Sequence, residues 1–143
     1  MIPTKVLVTG SRDATPEMLA AVSRHLRGLK GRNAHIIVGD ASGIDDTVIQ
    51  TCDEIGLSIE AHGAYKKMRR RTMTGRNITH DTDYLGRDTL MAQLLGPGDI
   101  CVAVWDGIKI NSGTVATARR AARTCCAVYW LWKSPYQTVP SSH

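Results

Sequence analysis

Short apolar runs alternate along the chain with longer segments in which apolar residues recur every three or four positions. An unbroken apolar run of about five residues is typical of a strand buried on both faces, and the three-to-four spacing is typical of an amphipathic helix. The pattern therefore predicts five strands with helices between them. The predicted strands are Lys5–Thr9, Ala34–Val38, Leu57–Ala61, Ile100–Trp105 and Ala127–Trp132.

Capping signals locate several ends of the predicted helices. Thr15 followed by Pro16 gives an N-cap residue and a proline at the first helical position. Gly56 is a C-cap for the second helix. The segment Lys66–Arg76 shows no clear period, and we predict a loop or short helix there. The predicted helices end near Lys30, Ile55, Leu95 and Arg123.

Strands that alternate with helices predict an α/β fold. With right-handed crossovers and one reversal of winding, the expected architecture is a Rossmann-like doubly wound, mostly parallel five-stranded sheet with helices on both faces. Ligands of such sheets bind at the carboxyl ends of the strands. Because the glycine-rich turns of this chain follow predicted strands, we expect them to form one shared site.

The length of 143 residues fits one domain. We expect a nucleotide-binding domain over residues 1–133 and a flexible tail over 134–143. No apolar run approaches membrane-spanning length, and no signal-peptide pattern is seen at the N-terminus. The four cysteines form neither a CxxC pair nor a zinc-like spacing. These features indicate a cytoplasmic protein with no membrane partner.

The net charge of +5 comes from one segment. Six lysines and arginines lie within Lys66–Arg76 with no acid among them, and removing them leaves 12 basic against 13 acidic residues (18 − 6 = 12). This segment is therefore the candidate surface for nucleic acid, although a charge run is more often only solvated. We expect Arg76 and Asn77 to lie near a ligand pocket and the other basic residues outside it.

The segment Gly39–Asp46 follows the second predicted strand and opens a helix, an arrangement typical of phosphate binding. Its glycines allow close backbone approach, and its carboxylates would accept hydrogen bonds from sugar hydroxyls. The alternative is structural, since acids in a first helical turn complement the helix dipole and an aspartate before it can be a turn residue. The candidate residues are Gly39, Asp40, Ala41, Gly43, Asp45 and Asp46.

Two other turns offer donors for an anion. Gly10, Ser11 and Arg12 end the first strand, where a hydroxyl and a guanidinium would contact a phosphate. The segment Asn111–Thr114 begins a later helix, and its candidate residues are Ser112, Gly113 and Thr114. The alternatives are a plain turn at the first segment and a capped helix without ligand at the second.

Other candidates have simpler alternatives. Trp105 ends the fourth strand, where it would stack on a base or pack in the core. The segment His80–Asp83 offers metal-ligating side chains, but a polar helix start is the favoured interpretation. We therefore predict no metal and no cofactor.

The motifs resemble those of the SLOG superfamily of Rossmann-like domains, which includes DprA/Smf, YAcAr and LOG-type proteins. The segment Gly10–Arg12 is similar to the opening glycine turn, Gly39–Asp45 to the GLARGID-like and GGARGAD-like loops, and Gly75–Asn77 to the G-x-RN element of the YAcAr branch. Ser112–Thr114 resembles the GGT before the last helix of the family. The resemblance extends over about Val6–Val128 and is strongest to the YAcAr branch.

The resemblance implies binding of a nucleotide or nucleotide-derived small molecule, as a sensor or ligand-binding domain, and a homo-oligomer. LOG-type enzymes carry a glutamate in a PGGxGTxxE pattern, whereas the corresponding stretch here, Asn111–Ala118, has no acid. A nucleotide N-glycosidase is therefore the alternative, with Asp45 or Asp46 replacing that glutamate. A further alternative is a single-stranded nucleic-acid-binding module that uses Lys66–Arg76.

Overall fold

The structure is a computed structural model that describes residues 2–109, 112–124 and 126–136. Within these residues, six strands form one sheet in the order β4-β3-β2-β1-β5-β6, and all neighbouring strands are parallel. This confirms the predicted α/β fold with a parallel sheet. The strands are β1 Thr4–Gly10, β2 Ala34–Val38, β3 Ser58–Gly63, β4 Arg76–Thr79, β5 Ile100–Val104 and β6 Ala127–Trp130.

Helices cover both faces of the sheet, as predicted. The described helices are α1 Pro16–Gly28, α2 Ile44–Ile55, α3 Tyr84–Gln93 and α4 Gly113–Ala122. One apolar cluster joins α1 and α2 to side chains such as Val8 and Val38. A second cluster joins α3 and α4 to the opposite face through Leu7 and Ile37. Successive residues of β1 and β2 thus pack in different layers, which is why these strands are apolar throughout.

The prediction of five strands was wrong, because a sixth strand, β4, begins at Arg76, the last residue of the segment assigned to a loop or short helix, and continues to Thr79. This strand pairs with β3 from Glu60 opposite Arg76 to Gly63 opposite Thr79. It lies at the edge of the sheet, has four residues and buries none of them fully. A short, polar edge strand lacks the apolar run that identified the central strands.

The capping signals predicted the helix starts and stops well. The Thr15 hydroxyl accepts a hydrogen bond from Met18 N at 3.2 Å, and Pro16 begins α1. Gly56 ends α2 in the left-handed conformation with φ 74°. In the last strand, the predicted range was too long, since β6 ends at Trp130.

Some expectations fall partly outside the described residues. Of the predicted tail, Ser134–Tyr136 are described and 137–143 are not. Asn111 and Cys125 also lie outside the described residues. The three described cysteines are free and buried. Among the helices that the structure describes, none has the length and apolar character needed to cross a membrane.

Candidate functional site

A cleft of about 460 Å³ opens at the carboxyl ends of β1, β2 and β5, where a doubly wound sheet binds its ligands. The volume is in the range of small-molecule sites. The ends of these strands contribute one wall, and the first turns of α2, α3 and α4 contribute the others. Its lining residues are Val8, Thr9, Gly10, Ser11, Arg12, Asp13, Gly39, Ala41, Asp45, Tyr84, Arg87, Asp88, Met91, Asp106, Ile108, Lys109, Ser112, Gly113 and Thr114.

The structure brings together most of the candidate residues from three separate segments. Those lining the cleft are Gly10, Ser11, Arg12, Gly39, Ala41, Asp45, Ser112, Gly113 and Thr114. The parallel register explains this, because Gly10 at the end of β1 lies beside Val104 at the end of β5. The candidates outside the cleft lining are Asp40, Gly43, Asp46, Arg76, Asn77 and Trp105.

Gly10 and Gly43 allow the turn after β1 and the turn after β2 to pack closely against each other. A Cβ at Gly10 would come within 2.5 Å of the Ile44 side chain. Gly43 has φ 77°, and a Cβ there would overlap the carbonyl oxygen of Arg12. The two turns are also joined by a hydrogen bond from Ile44 N to Ser11 O at 3.4 Å. These positions require glycine because of backbone contact, independently of any ligand.

The N-terminus of α4 presents free donors to the cleft. The Ser112 hydroxyl caps the helix by accepting a hydrogen bond from Val115 N at 3.2 Å. Gly113 and Thr114 are the first two helical residues, and their N–H groups have no acceptor among the described residues. Unpaired N–H groups at the positive end of a helix dipole form an anion-binding site.

Asp45 is a buried carboxyl that lines the same cleft; its residue is 8% exposed. Its Oδ2 accepts a hydrogen bond from Ala41 N at 3.1 Å, and its Oδ1 has no partner among the described residues. Burial raises the pKa of Asp45 to about 7, against the lowering effect of the Ala41 N–H and of Arg87. Asp45 therefore does not cap its own helix, and it changes charge near neutral pH.

Asp40, which we expected beside a sugar, is instead buried, and its carboxylate oxygens accept hydrogen bonds from other residues of the protein. It is 1% exposed, and Arg69 donates to it from its backbone N at 2.7 Å and from its guanidinium at 2.9 Å. Arg87 donates to the same carboxylate at 2.8 Å. Burial alone would raise the pKa of Asp40, but these hydrogen bonds outweigh it and hold the pKa below its usual value. No oxygen of Asp40 is left for a ligand.

Arg87 is the principal residue that the sequence reasoning missed. It is 4% exposed and joins three elements, because its guanidinium donates to Asp40, to the carbonyl oxygen of His62 and to Asp88, each at 2.8 Å. The signal was an arginine four residues before Met91 on the inward face of a predicted helix. A charged residue at such a position needs buried partners, and it indicates an internal ion pair.

Tyr84 and Asp88 were also missed, and both line the cleft. Three guanidinium groups lie near the face of the Tyr84 ring. Their central carbons are 4.2 Å (Arg69), 5.5 Å (Arg12) and 5.7 Å (Arg87) from the ring centroid. Burial raises the pKa of Asp88, although Arg87 opposes this. The cleft therefore has two carboxyls whose pKa is raised by burial, one on α2 and one on α3.

Arg76 and Asn77 do not reach the cleft. They begin β4, and in a parallel sheet the first residues of a strand lie at the edge opposite the carboxyl ends. The Asn77 side chain is used locally: its Oδ1 accepts from Thr72 N at 2.8 Å and its Nδ2 donates to Thr72 O at 2.9 Å. In this protein the Asn77 side chain therefore holds the backbone at Thr72.

Trp105 and Asp46 also lie outside the cleft. Trp105 is buried, contacts Trp130 edge-to-face at 6.5 Å and donates from Nε1 to Lys109 O at 3.0 Å. It holds the loop that carries Lys109 into the cleft and has no face free for a base. Asp46 accepts from Gln50 at 3.0 Å and pairs with Arg70 at 3.5 Å.

The basic segment is partly neutralised. Lys66 pairs with Asp81 at 3.5 Å, while Arg69 and Arg70 are held by the carboxylates described above. Lys67 and Arg71 are exposed, and neither has an acidic partner among the described residues. Part of the positive charge is therefore available to a partner. Among all the residues that the structure describes, no cluster of three or more His, Cys, Asp or Glu side chains is positioned to hold a metal ion.

Sequence comparison places the chain in no family: no protein-family model matches it, and no curated protein matches it. Solved structures do match. TM1055, a structural genomics target, is 18% identical with a TM-score of 0.70, covering 87% of this chain and 72% of that one. DNA processing protein A (DprA) from Helicobacter pylori is 18% identical with a TM-score of 0.67, covering 89% and 64%. DprA from Streptococcus pneumoniae is 19% identical with a TM-score of 0.70, covering 88% and 49%.

The chain shares the Rossmann-like α/β fold of these structures. At these identities the likeness shows the fold alone. The chain spans 64% and 49% of the two DprA chains, so it matches one part of each. The H. pylori protein is described as binding single-stranded DNA.

Proposed function

We propose that the cleft binds a nucleotide or a nucleotide-derived small molecule, and that the protein is a sensor or ligand-binding domain for it. The observation that carries the proposal is the presence, in one cleft, of a helix N-terminus with free N–H groups and a buried carboxyl with a free oxygen. The first suits a phosphate, and the second suits a sugar hydroxyl. A nucleotide offers both groups.

The phosphate would lie on the N–H groups of Gly113 and Thr114. Arg12 lines the same cleft, and its guanidinium has no carboxylate partner among the described residues. It is therefore free to form a bidentate contact with phosphate oxygens, and the Ser11 hydroxyl adds a further donor. The sugar would lie toward Asp45, since Asp40 is fully occupied.

Gly113→Pro tests the phosphate site directly. Gly113 is the first helical residue, where proline is well accommodated and removes only the N–H group. Ser112 before it is already extended, with φ −66° and ψ 159°, and a Cβ at position 113 meets nothing within 4 Å. Gly113→Ala is the matched control, because it keeps the N–H group.

Calorimetric titration with nucleoside mono- and diphosphates, cyclic nucleotides and ADP-ribose derivatives gives the readout. We expect Gly113→Pro to fold as the wild type does and to bind phosphate-containing ligands about tenfold more weakly, with Gly113→Ala close to wild type. If no ligand of this panel binds the wild type, or if both variants bind equally well, the proposal is refuted.

Nucleotide N-glycosidase activity is a second candidate, favoured by the two carboxyls with raised pKa in the cleft. Such a reaction needs a group that donates a proton to the leaving base and a carboxylate that activates water or stabilises the sugar cation. Asp45 and Asp88 both line the cleft, and in this candidate function they would share these roles. Incubation with nucleoside monophosphates, followed by chromatography for free base, tests it; no release of base from any of them excludes it.

Binding of single-stranded nucleic acid is a third candidate, supported by the exposed cations of the basic segment and by the DprA likeness. Lys67→Ala with Arg71→Ala should weaken binding of a single-stranded oligonucleotide and lower its salt dependence, because two phosphate contacts are lost. A double change of Lys30 and Arg32 to alanine, outside the segment, is the control. Equal binding by both double variants would exclude this surface.

We also propose that the protein forms a homo-oligomer. The support is the presence of exposed aromatic side chains at and after β6, including Tyr129 and Trp132. Size-exclusion chromatography with light scattering tests the proposal. A mass equal to one chain of 15.6 kDa at high protein concentration would refute it.

A further inference from the structure

The carboxyl of Asp45 is held rigidly with one oxygen left over. Its Oδ2 is fixed by the Ala41 N–H, and a Cβ at Gly39 would come within 2.7 Å of that oxygen. The absence of a side chain at Gly39 therefore leaves space for the Asp45 carboxyl at the bottom of the cleft. The remaining oxygen, Oδ1, is the one available to a ligand.

An ionised carboxyl at this place is short of donors. A carboxylate has about four acceptor positions, and among the described residues Asp45 receives a single hydrogen bond. Since the residue is more than nine-tenths buried, little water compensates for the deficit. A ligand group that donates a hydrogen bond to Oδ1 would therefore favour the ionised form, and a group that only accepts would oppose it.

Charged groups reach Asp45 from every element around the cleft. From α3, Arg87 favours the ionised form, whereas Asp88 opposes it, as does Asp40 at the end of β2. Together with burial, which is the largest effect, they raise the pKa of Asp45 to about 7. The same cleft is also lined by one basic and one acidic residue after β1, Arg12 and Asp13, and by one of each after β5, Lys109 and Asp106.

We infer that Asp45 makes the cleft selective for ligands with free sugar hydroxyls, ribose rather than 2′-deoxyribose, and that protonation of this carboxyl removes most of the selectivity. The inference rests on the proposed function. A hydroxyl donates a charge-assisted hydrogen bond to the ionised carboxyl, and such a bond is roughly twice as strong as one to a neutral group. Above its second pKa of about 6, a phosphate monoester has no hydrogen to donate, so the phosphate belongs at α4.

The test compares ribonucleotides with their 2′-deoxy and 3′-deoxy counterparts as probes: AMP, GMP and CMP, each titrated calorimetrically at about pH 5.5 and about pH 8.5. The ratio of Kd values within a pair is measured, because phosphate titration affects both members equally and cancels. We expect ribose to be preferred about tenfold at the higher pH and less than about threefold at the lower pH.

Two variants complete the design. Asp45→Asn should give the same small ratio at both pH values, and Glu54→Gln, an exposed carboxylate on the same helix that pairs with Arg27, should behave as wild type. Because the wild-type ratio is decisive alone, the test survives a failure of Asp45→Asn to fold. A ratio that does not change with pH in the wild type overturns the inference but leaves nucleotide binding intact. Binding of none of these probes at either pH would overturn both.

Discussion

At the scale of single residues, the site depends on buried charged side chains that form ion pairs and hydrogen bonds with one another. Arg87 satisfies Asp40 and Asp88 and reaches the His62 carbonyl oxygen, so it ties α3 to the ends of β2 and β3. Removing one partner from a buried ion pair leaves a charge without compensation, and this costs more than the pair contributes.

We therefore predict that Arg87→Met lowers the free energy of unfolding by about 3 to 5 kcal/mol, because partly buried Asp88 loses the cation bound to it and buried Asp40 keeps only Arg69. Urea denaturation at neutral pH gives the measurement. Arg71→Met, at an exposed position of the basic segment, should change the free energy of unfolding by less than about 0.5 kcal/mol. A loss below about 1 kcal/mol for Arg87→Met would contradict the proposed role of this network.

Glu60 gives a second prediction at this scale, about pH. It accepts hydrogen bonds from His62 at 2.5 Å and from His35 at 2.6 Å, and these lower its pKa from 4.5 to about 2 despite burial. Because the folded pKa lies below the unfolded one, the stabilisation is present above about pH 4.5 and is lost as pH falls toward about 2. Linkage gives a contribution of about 3 kcal/mol.

The check is urea denaturation of wild type and Glu60→Gln at about pH 7 and about pH 3. The difference between the two proteins should shrink at the lower pH, since the wild type has then lost most of the contribution from this carboxylate. Glu54→Gln, whose side chain is about two-thirds exposed, is the control and should show little change with pH. A constant difference between wild type and Glu60→Gln would be inconsistent with this account.

At the scale of elements, the turns after β1 and β2 are built to fit each other. Gly43 combines a positive φ with contact to the Arg12 carbonyl, so a side chain meets both strain and overlap. We predict that Gly43→Ala lowers the free energy of unfolding by at least about 2 kcal/mol.

The control for this prediction is Gly28→Ala at the end of α1. A Cβ there meets nothing within 4 Å and φ is not positive, so alanine should be neutral or raise the free energy of unfolding by up to about 1 kcal/mol. Thermal and urea denaturation of both variants give the comparison. Equal stabilities for the two variants would show that the turns do not depend on this contact.

At the scale of elements, the sequence predicted those strands and helices whose apolar pattern or capping residues lie within the element itself. The central strands are apolar on both faces, and Thr15 and Gly56 cap the helices as expected. The edge strand β4 was missed because it is short and polar, and the turn before it is held by a distant residue: the Asp53 carboxylate of α2 accepts hydrogen bonds from Thr72, Met73 and Thr74. Nothing in the local sequence indicates that long-range anchor.

At the scale of the whole molecule, the topology could be predicted in outline and the site only in part. Glycine turns that follow parallel strands meet at one edge, so their convergence on one cleft followed from the fold class. The fate of Asp40 did not follow, because its partner Arg87 is 47 residues away and faces it only once α3 has packed on the sheet. Arg76 was misplaced because β4 was not recognised as a strand.

The most direct measurement is an ¹⁵N–¹H chemical-shift titration of the protein with the nucleotide panel, because it locates binding by residue. The account predicts saturable shifts concentrated on the amides of Ser11, Ala41, Gly113 and Thr114, with little change in Lys66–Arg71. Shifts confined to the basic segment, or no shifts with any nucleotide, would contradict the claim that the cleft at the carboxyl ends of β1, β2 and β5 is a nucleotide site.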